Sequence, residues 1–335
     1  MGFFILAAEL MSISLFLVII IFLGLKKKDY RAVAQIFAGS CFGIVVEFMF
    51  VLVAKEYNYS TQFLFQIGSP PVNTPIIIGL CWGLIIYACM QVSDLIGLDE
   101  WFKPILDALL GLTIDLSMDT IAIRLDGGFW TWVDVPLEVL PTLNSFMGVN
   151  YRNFVAWFLI ILVFSFLLRF EQKVLQGELN VPKFITVTYF CVIPFFGYIL
   201  LFLAYNVSLF PVFLIIEYLN IIKVSLGIQQ VQQLSALVII ISIVVSAGLM
   251  QIIAFDSRTK VEKQINWIPI SVFLYFHLSY LGFYIAAGIF WEVPLILLVA
   301  FFMLTLDIFI HWKILDQGQV SNLIFKIKNQ ITLER

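Results

Sequence analysis

The residues with the clearest chemical potential are three aspartates and an arginine in an otherwise apolar stretch of the chain, residues 105–132. Asp107, Asp115 and Asp119 lie in the part of this stretch that predicts a membrane-spanning helix, and Arg124 lies near its end. An ionisable side chain at the centre of a bilayer costs about 2.5–3.5 kcal/mol on insertion scales. These side chains therefore require a partner, a water-filled cavity or a function.

Asp115 and Asp119 are four residues apart, so on a helix they share one face. Two carboxyl groups one turn apart at low dielectric constant should not both ionise, so one should keep its proton at neutral pH. A protonated carboxylic acid of this kind can act as a general acid. Arg124, a little over one turn beyond Asp119, could hold the other carboxylate ionised. Asp107, nearer the predicted cytoplasmic end, is expected to be structural.

A further acid, Glu47, is predicted well inside the second apolar segment. That segment offers no cation before Lys55, so we expect a partner on another helix, with Arg124 as the residue that fits. Three interpretations of these acids remain open from their positions alone. They are a structural polar network that fixes helix packing, a path for protons or ions, and a catalytic pocket.

The elements that position these acids must be membrane helices. Of the 335 residues, 62% are hydrophobic and 12% charged, whereas soluble domains average roughly 45–50% and about 25%. The apolar runs are continuous and do not alternate, which favours an all-α bundle over a β-barrel. With only two histidines, His277 and His311, a histidine-box di-iron oxygenase is excluded for this chain. We also expect no nucleic-acid partner, because no long basic run is present.

Apolar runs of about 18 or more residues predict the membrane spans. The basic cluster at 26–31 places the first connection inside and the N-terminus outside. Ten spans would leave the basic loop 256–263 and the basic tail outside, so we predict about nine, within a range of eight to ten. Segment 208–227 is then the best candidate for a re-entrant or interfacial helix. The runs are 3–25, 32–54, 75–97, 105–125, 153–170, 184–205, 208–227, 234–255, 267–290 and 293–312.

Two connections are rich in aromatic residues, amides and prolines: residues 55–74 and 126–152. By the order of the spans, both lie on the outer side of the membrane. Tyrosine and tryptophan in such positions usually form the belt at the membrane interface. We expect the protein in a bacterial or archaeal cytoplasmic membrane, with the lipid bilayer as its surroundings and an unknown oligomeric state.

The sequence resembles the carotenoid biosynthesis membrane family that includes the carotenoid 1,2-hydratases. The resemblance covers about residues 40–160, in a region 1–170 that carries the acids, and residues 171–335 are predicted to add further helices to the same membrane domain. The family usually has proline where this chain has Thr120 and Asn150, which indicates a diverged member. The residues that carry the resemblance are Glu47, Tyr57, Tyr59, Pro75, Trp82, Asp115, Met118, Asp119, Trp130, Trp132, Gly148, Asn153, Phe154 and Trp157.

The resemblance implies acid-catalysed hydration of a terminal double bond in an acyclic carotenoid end-group. An acid protonates the alkene, and water attacks the resulting tertiary carbocation, so no cofactor or metal is expected. Under this hypothesis the substrate is a hydrophobic isoprenoid in the bilayer, and the residues take the following roles. Asp119 or Asp115 is the proton donor and the other its ionised partner, Glu47 is the water-orienting base, Arg124 and Asn153 fix the carboxylates, and Tyr59, Trp130 and Trp132 wall the pocket.

Other classes of function remain open at this stage. Acids in several helices also suit a proton-coupled transporter, although the sequence has no evident internal repeat. A retinal protein with Lys223 as its Schiff base is a third interpretation, and a non-catalytic membrane assembly protein is a fourth.

Overall fold

In the part of the chain that the structure describes, α-helices pack together and two of their connections contain short β-strands. The computed structural model describes residues 2–95, 100–133, 135–142, 145–176 and 266–316. The first two helices each continue into a π-helical segment, Phe22–Lys27 and Phe50–Ala54. The helices in these ranges are α1 (Phe3–Ile21), α2 (Tyr30–Met49), α3 (Ile76–Leu95), α4 (Lys103–Ala122), α5 (Tyr151–Gln176), α6 (Trp267–Ala286) and α7 (Leu295–Asp316).

The predicted all-α membrane bundle is confirmed. Among the described residues, five helices are long and apolar enough to cross a membrane: Phe3–Lys27, Tyr30–Val53, Ile76–Leu95, Tyr151–Phe170 and Trp267–Ala286. A shorter apolar helix covers Leu295–His311. The number of nine spans stays a prediction. Three of the predicted spans lie outside the described residues: 184–205, 208–227, which contains Lys223, and 234–255. The side chains of the basic loop and the basic tail, which gave the orientation, are not described either.

α4 occupies the centre of the bundle and packs against α3, α5, α6 and α7. Nearly every residue from Pro104 to Ala122 is buried, which is unusual for a helix with three aspartates. A helix buried all round exposes none of its polar side chains to lipid. The acids of α4 therefore face protein on every side, as their insertion cost requires.

Asp107 is the aspartate nearest the start of α4, and it lies in a network with Arg169 of α5. Arg169 Nη2 donates to Asp107 Oδ2 at 3.0 Å, and its Nη1 donates to Asp94 Oδ1 at 2.6 Å. Ser165 Oγ also donates to Asp107, and Ser93 Oγ accepts from Arg169 Nη2. This network ties α4 to α3 and α5, in agreement with a structural role for Asp107.

Short antiparallel strands in the two aromatic connections cover one end of the bundle. The strands are β1 (Tyr57–Tyr59), β2 (Gln66–Ser69), β3 (Val72–Pro75), β4 (Trp130–Trp132), β5 (Ser145–Phe146) and β6 (Val149–Asn150). β1 pairs with β4, β2 with β3 and β5 with β6. The β1–β4 pairing joins the connections 55–74 and 126–152, so both lie on the same side of the bundle.

The buried Glu9 of α1 holds this cap onto the helices. Its carboxyl oxygens accept the backbone N–H groups of Leu64 and Phe65 at 2.8 and 3.1 Å. The backbone N–H of Ile5, also in α1, donates to Asp126 Oδ2 at 2.9 Å. Both contacts fix the aromatic connections to the same end of α1.

Among the described helices, α2 and α3 form the most extensive pair because small residues let their backbones approach closely. A Cβ atom added at Gly39 would lie 3.0 Å from the Cα atom of Gly83. One turn further along α2, a Cβ atom at Gly43 would overlap the side chain of Trp82. Gly43 therefore leaves the space that Trp82 occupies, one turn before Glu47.

We expect Gly43→Ala to destabilise the protein by about 1–3 kcal/mol, the usual cost of overpacking a filled core. The added methyl must displace the Trp82 indole or separate α2 from α3. Unfolding in detergent, monitored by the loss of the helical circular-dichroism signal, measures the effect. Gly282→Ala in α6 is the matched control, since a Cβ atom there meets nothing within 4 Å. Equal stability of the two variants would show that Gly43 does not set this packing.

Candidate functional site

Asp115 and Asp119 form a buried carboxyl pair that is bridged by one amide. Asn153 Nδ2 donates to Asp115 Oδ1 at 2.9 Å and to Asp119 Oδ2 at 2.7 Å. The other oxygen of each carboxyl group, Asp115 Oδ2 and Asp119 Oδ1, is buried and has no hydrogen-bond partner among the described residues. Two carboxyl groups this close together and almost fully buried, with 0% and 1% of the two residues exposed, should not both ionise. We therefore expect the pair to share one proton at neutral pH.

The geometry of this pair follows from two helices. The i, i+4 spacing places both aspartates on the face of α4 that packs against α5. The β5–β6 hairpin runs directly into α5, which begins at Tyr151, so Asn153 lies in the first turn of that helix. A single amide can therefore reach both carboxyl groups across the interface between the two helices.

Glu47 of α2 lies nearby and receives three neutral donors. Tyr57 and Tyr59 donate their hydroxyls to Oε2, the second at 2.7 Å, and Trp82 Nε1 donates to Oε1 at 2.8 Å. The expectation that Arg124 is its partner is wrong, because hydroxyl and indole groups satisfy this carboxyl group instead. Oε1 has one donor among the described residues and keeps a lone pair for another.

The two tyrosines reach Glu47 together because they alternate along β1 and so share a face. Tyr57 is paired with Trp132 and Tyr59 with Trp130 in the β1–β4 ladder, with ring centroids 5.0 and 6.1 Å apart. Burial, reinforced by the charge of Glu47, raises the pKa of both tyrosines well above its usual value. Both phenols therefore stay protonated and act as donors. The aromatic residues of this ladder face the protein interior instead of forming an interfacial belt.

The structure places Arg124 away from the acids. Its Nη1 donates to the carbonyl of Thr120 and its Nη2 to the carbonyl of Glu138, both at 2.6 Å. A cation beside the C-terminus of a helix satisfies the last carbonyls, and this stabilises the helix end. The predicted role of Arg124 in fixing a carboxylate is therefore wrong, and it anchors the connection after α4 instead.

Two of the acids line a partly open cavity whose wall is mostly aromatic and apolar, with a few polar groups, as is typical of ligand sites. Glu47 and Asp119 both line it, together with Asn153, whereas Asp115 is not part of the lining. Tyr57 and Tyr59 contribute as well. The remaining large aromatic residues of the wall are Trp82, Trp130, Trp132, Trp157, Phe276 and Tyr280.

The structure thus brings together seven of the eight predicted site residues, with Arg124 as the exception. Sequence reasoning did not assign a role in the site to Trp82, whose indole donates to Glu47. It also missed Phe276 and Tyr280 of α6, which lie more than 120 residues after Asn153. Their only signal in the sequence is i, i+4 spacing in an apolar run, which is shared by many residues that merely pack.

A family model described as carotenoid biosynthesis protein matches residues 4–222. The match extends on both sides of residues 40–160, which carry the resemblance seen in the sequence. No curated protein and no solved structure matched the chain.

Proposed function

The chain belongs to the carotenoid biosynthesis protein family and has a role in that biosynthesis, and from this we propose that it hydrates a terminal double bond of an acyclic carotenoid end-group. One observation carries the proposal. Asp119, which the amide of Asn153 links to Asp115, lies on the wall of an aromatic cavity that also contains Glu47. Hydration of an alkene needs an acid, a group that binds water and an apolar site for the chain.

In the first step, the shared proton passes from Asp119 to the less substituted carbon of the double bond. The π electrons form the new C–H bond and leave a tertiary carbocation at the other carbon. Asp119 is the donor in this scheme because it lines the cavity and Asp115 does not. Asp115 and Asn153 position it, and Asn153 stabilises the carboxylate that the transfer creates.

In the second step, a water oxygen bonds to the cation and loses one proton to Glu47. The free lone pair of Glu47 Oε1 suits it to orient this water, while Tyr57, Tyr59 and Trp82 hold its carboxyl group in place. Return of the proton from Glu47 to the aspartate pair closes the cycle, so the net change is addition of one water. The tryptophan rings that line the cavity stabilise the carbocation between the two steps by cation–π attraction.

The surroundings of the cavity suit a substrate that arrives from the bilayer. Carotenoids are long hydrocarbons, and the helices around α4 are themselves apolar enough to lie in lipid. We propose that residues 1–170 and 171–335 form one membrane domain, and the packing of α6 and α7 against α4 supports this proposal. A cytoplasmic membrane with the N-terminus outside remains part of the proposal.

The test is expression of the full chain in a bacterial host that makes acyclic carotenoids, followed by mass analysis of the pigments. We expect products heavier by one water for each modified end-group. Glu292→Gln, an exposed acid that does not line the cavity, should give the same products as the wild type. Unchanged pigments, with the protein present in the membrane, would contradict hydration. Proton-driven solute uptake by proteoliposomes would then favour the transporter interpretation.

Replacing Asn153 with alanine should lower the hydration rate by about 100-fold, the order of loss expected when a reacting group is displaced by an ångström. The pair would lose the amide that fixes both carboxyl groups. Initial rates of product formation by purified protein in detergent micelles measure this change. Arg152→Ala is the control, because this neighbouring side chain is exposed. A wild-type rate for Asn153→Ala would rule out a positioning role.

A further inference from the structure

One wall of the cavity comes from a helix outside the part of the chain that the family model matches. Phe276 and Tyr280 of α6 line the cavity, and α6 begins at Trp267, whereas the match ends at residue 222. Their i, i+4 spacing places both rings on one face of α6. The acids come from the matched region, so the two sides of the cavity have separate origins in the sequence.

A buried polar network determines where α6 stands relative to the acids. His277, next to Phe276 in the chain, hydrogen-bonds through Nδ1 to Ser117 Oγ at 3.0 Å and through Nε2 to Asp307 of α7. Thr113 Oγ1 donates to the same Asp307 carboxyl group at 2.9 Å. Ser117 lies on α4 two residues before Asp119, so the network aligns α6 with the turn of α4 that carries the acid.

The two aromatic side chains are held in place and are not free to swing aside. Phe276 is 1% exposed and Tyr280 is 8% exposed. The Tyr280 ring packs against Phe129, with centroids 6.2 Å apart, and against Phe283 at 5.8 Å. Protein interiors are packed closely enough that even one methylene changes what fits. Rigid rings on one side of a cavity therefore limit the width of what the cavity admits.

We propose that α6 is the selectivity wall of the cavity: Phe276 and Tyr280 admit an acyclic isoprenoid end-group and exclude a cyclised one. The proposal rests on the proposed function for the nature of the substrate. A six-membered ring with its methyl groups is wider than an open chain of the same formula, so packed rings on this wall leave less room for it than for the open chain. His277 and Asp307 are positioning residues, because they hold the wall without lining the cavity.

Binding measurements separate this proposal from the chemistry. Full-length protein in lipid nanodiscs is titrated with lycopene, which has two acyclic ends, and with β-carotene, which has the same formula and two rings. Quenching of tryptophan fluorescence reports binding, since Trp82, Trp130, Trp132 and Trp157 surround the cavity. We expect the wild type to prefer lycopene by at least tenfold. Phe276→Ala and Tyr280→Ala should each reduce this preference about tenfold, the low end of what small volume changes in an apolar pocket produce.

Control substitutions test whether the loss of preference comes from the two rings that line the cavity. Leu278→Ala changes α6 on a side that is exposed and does not line the cavity, so it should keep the wild-type preference. Tyr280→Phe keeps the ring and should keep the preference as well. If an alanine variant fails to fold, Phe276→Leu and Tyr280→Leu replace it. An unchanged preference in folded variants that shorten both positions, or no preference in the wild type, would overturn the proposal.

Hydration of lycopene is measured separately, on the same protein that is used for the binding measurements. Wild-type protein that binds lycopene selectively but does not hydrate it would contradict the proposed function and leave the selectivity wall intact. Wild-type protein that hydrates lycopene but binds both carotenes equally would support the proposed function and overturn the selectivity wall. Asp307→Asn, which weakens the network outside the cavity, should lower the preference for lycopene by relieving the exclusion of β-carotene.

Discussion

Asp119→Asn is expected to lower the rate of hydration by about 10²- to 10⁴-fold, the usual contribution of a positioned general acid. Asparagine has nearly the same shape as aspartic acid, but its amide cannot deliver a proton to an alkene. Because Asp119 is buried, replacement by a neutral isostere should leave the fold intact. Initial rates of formation of the water-added product, measured by mass with purified protein, give the size of the loss.

Asp115→Asn is the informative comparison for this prediction. Asp115 does not line the cavity, so in the proposed scheme it acts on the proton only through Asp119. We expect a smaller loss of rate for Asp115→Asn than for Asp119→Asn, and a wild-type rate for the exposed control Glu292→Gln. A wild-type rate for Asp119→Asn would refute its assignment as the donor. A larger loss for Asp115→Asn would exchange the roles of the two aspartates.

Arg169→Leu is expected to destabilise the protein by about 3–5 kcal/mol, the cost of leaving one member of a buried ion pair without its partner. Arg169 is 6% exposed and Asp107 is fully buried. The substitution removes the guanidinium that Asp107 and Asp94 both contact, and it also removes the donor to Ser93. Asp107 must then take up a proton or separate α4 from α3 and α5.

The loss should be visible as a lower midpoint in thermal or denaturant unfolding of the purified protein in detergent. Arg152→Leu is the matched control, since Arg152 is 57% exposed and contacts Glu56 at 3.3 Å. Exposed ion pairs contribute about 1 kcal/mol or less. Asp107→Asn combined with Arg169→Leu should recover part of the stability, because no buried charge is left unpaired. Equal midpoints for Arg169→Leu and Arg152→Leu would show that the network does not hold these helices together.

The helices could be predicted from the sequence because burial in lipid imposes a simple rule on length and composition. The apolar runs 32–54, 75–97 and 105–125 correspond closely to α2 with its π-helical end, α3 and α4. The strands could not be predicted in the same way. β1 and β4 are three residues each, and they form because segments far apart in the sequence meet over the bundle.

The candidate site could likewise be predicted only in part from the sequence. The sequence by itself determined that Asp115 and Asp119 share a face, since a helix repeats every 3.6 residues, and the order of its motifs indicated the family. Only the tertiary structure decided which groups meet the acids. Glu47 is satisfied by two tyrosines and a tryptophan instead of Arg124, and α6 supplies a wall of the cavity. Helical periodicity determines which residues share a face, but the packing of several helices determines what that face touches.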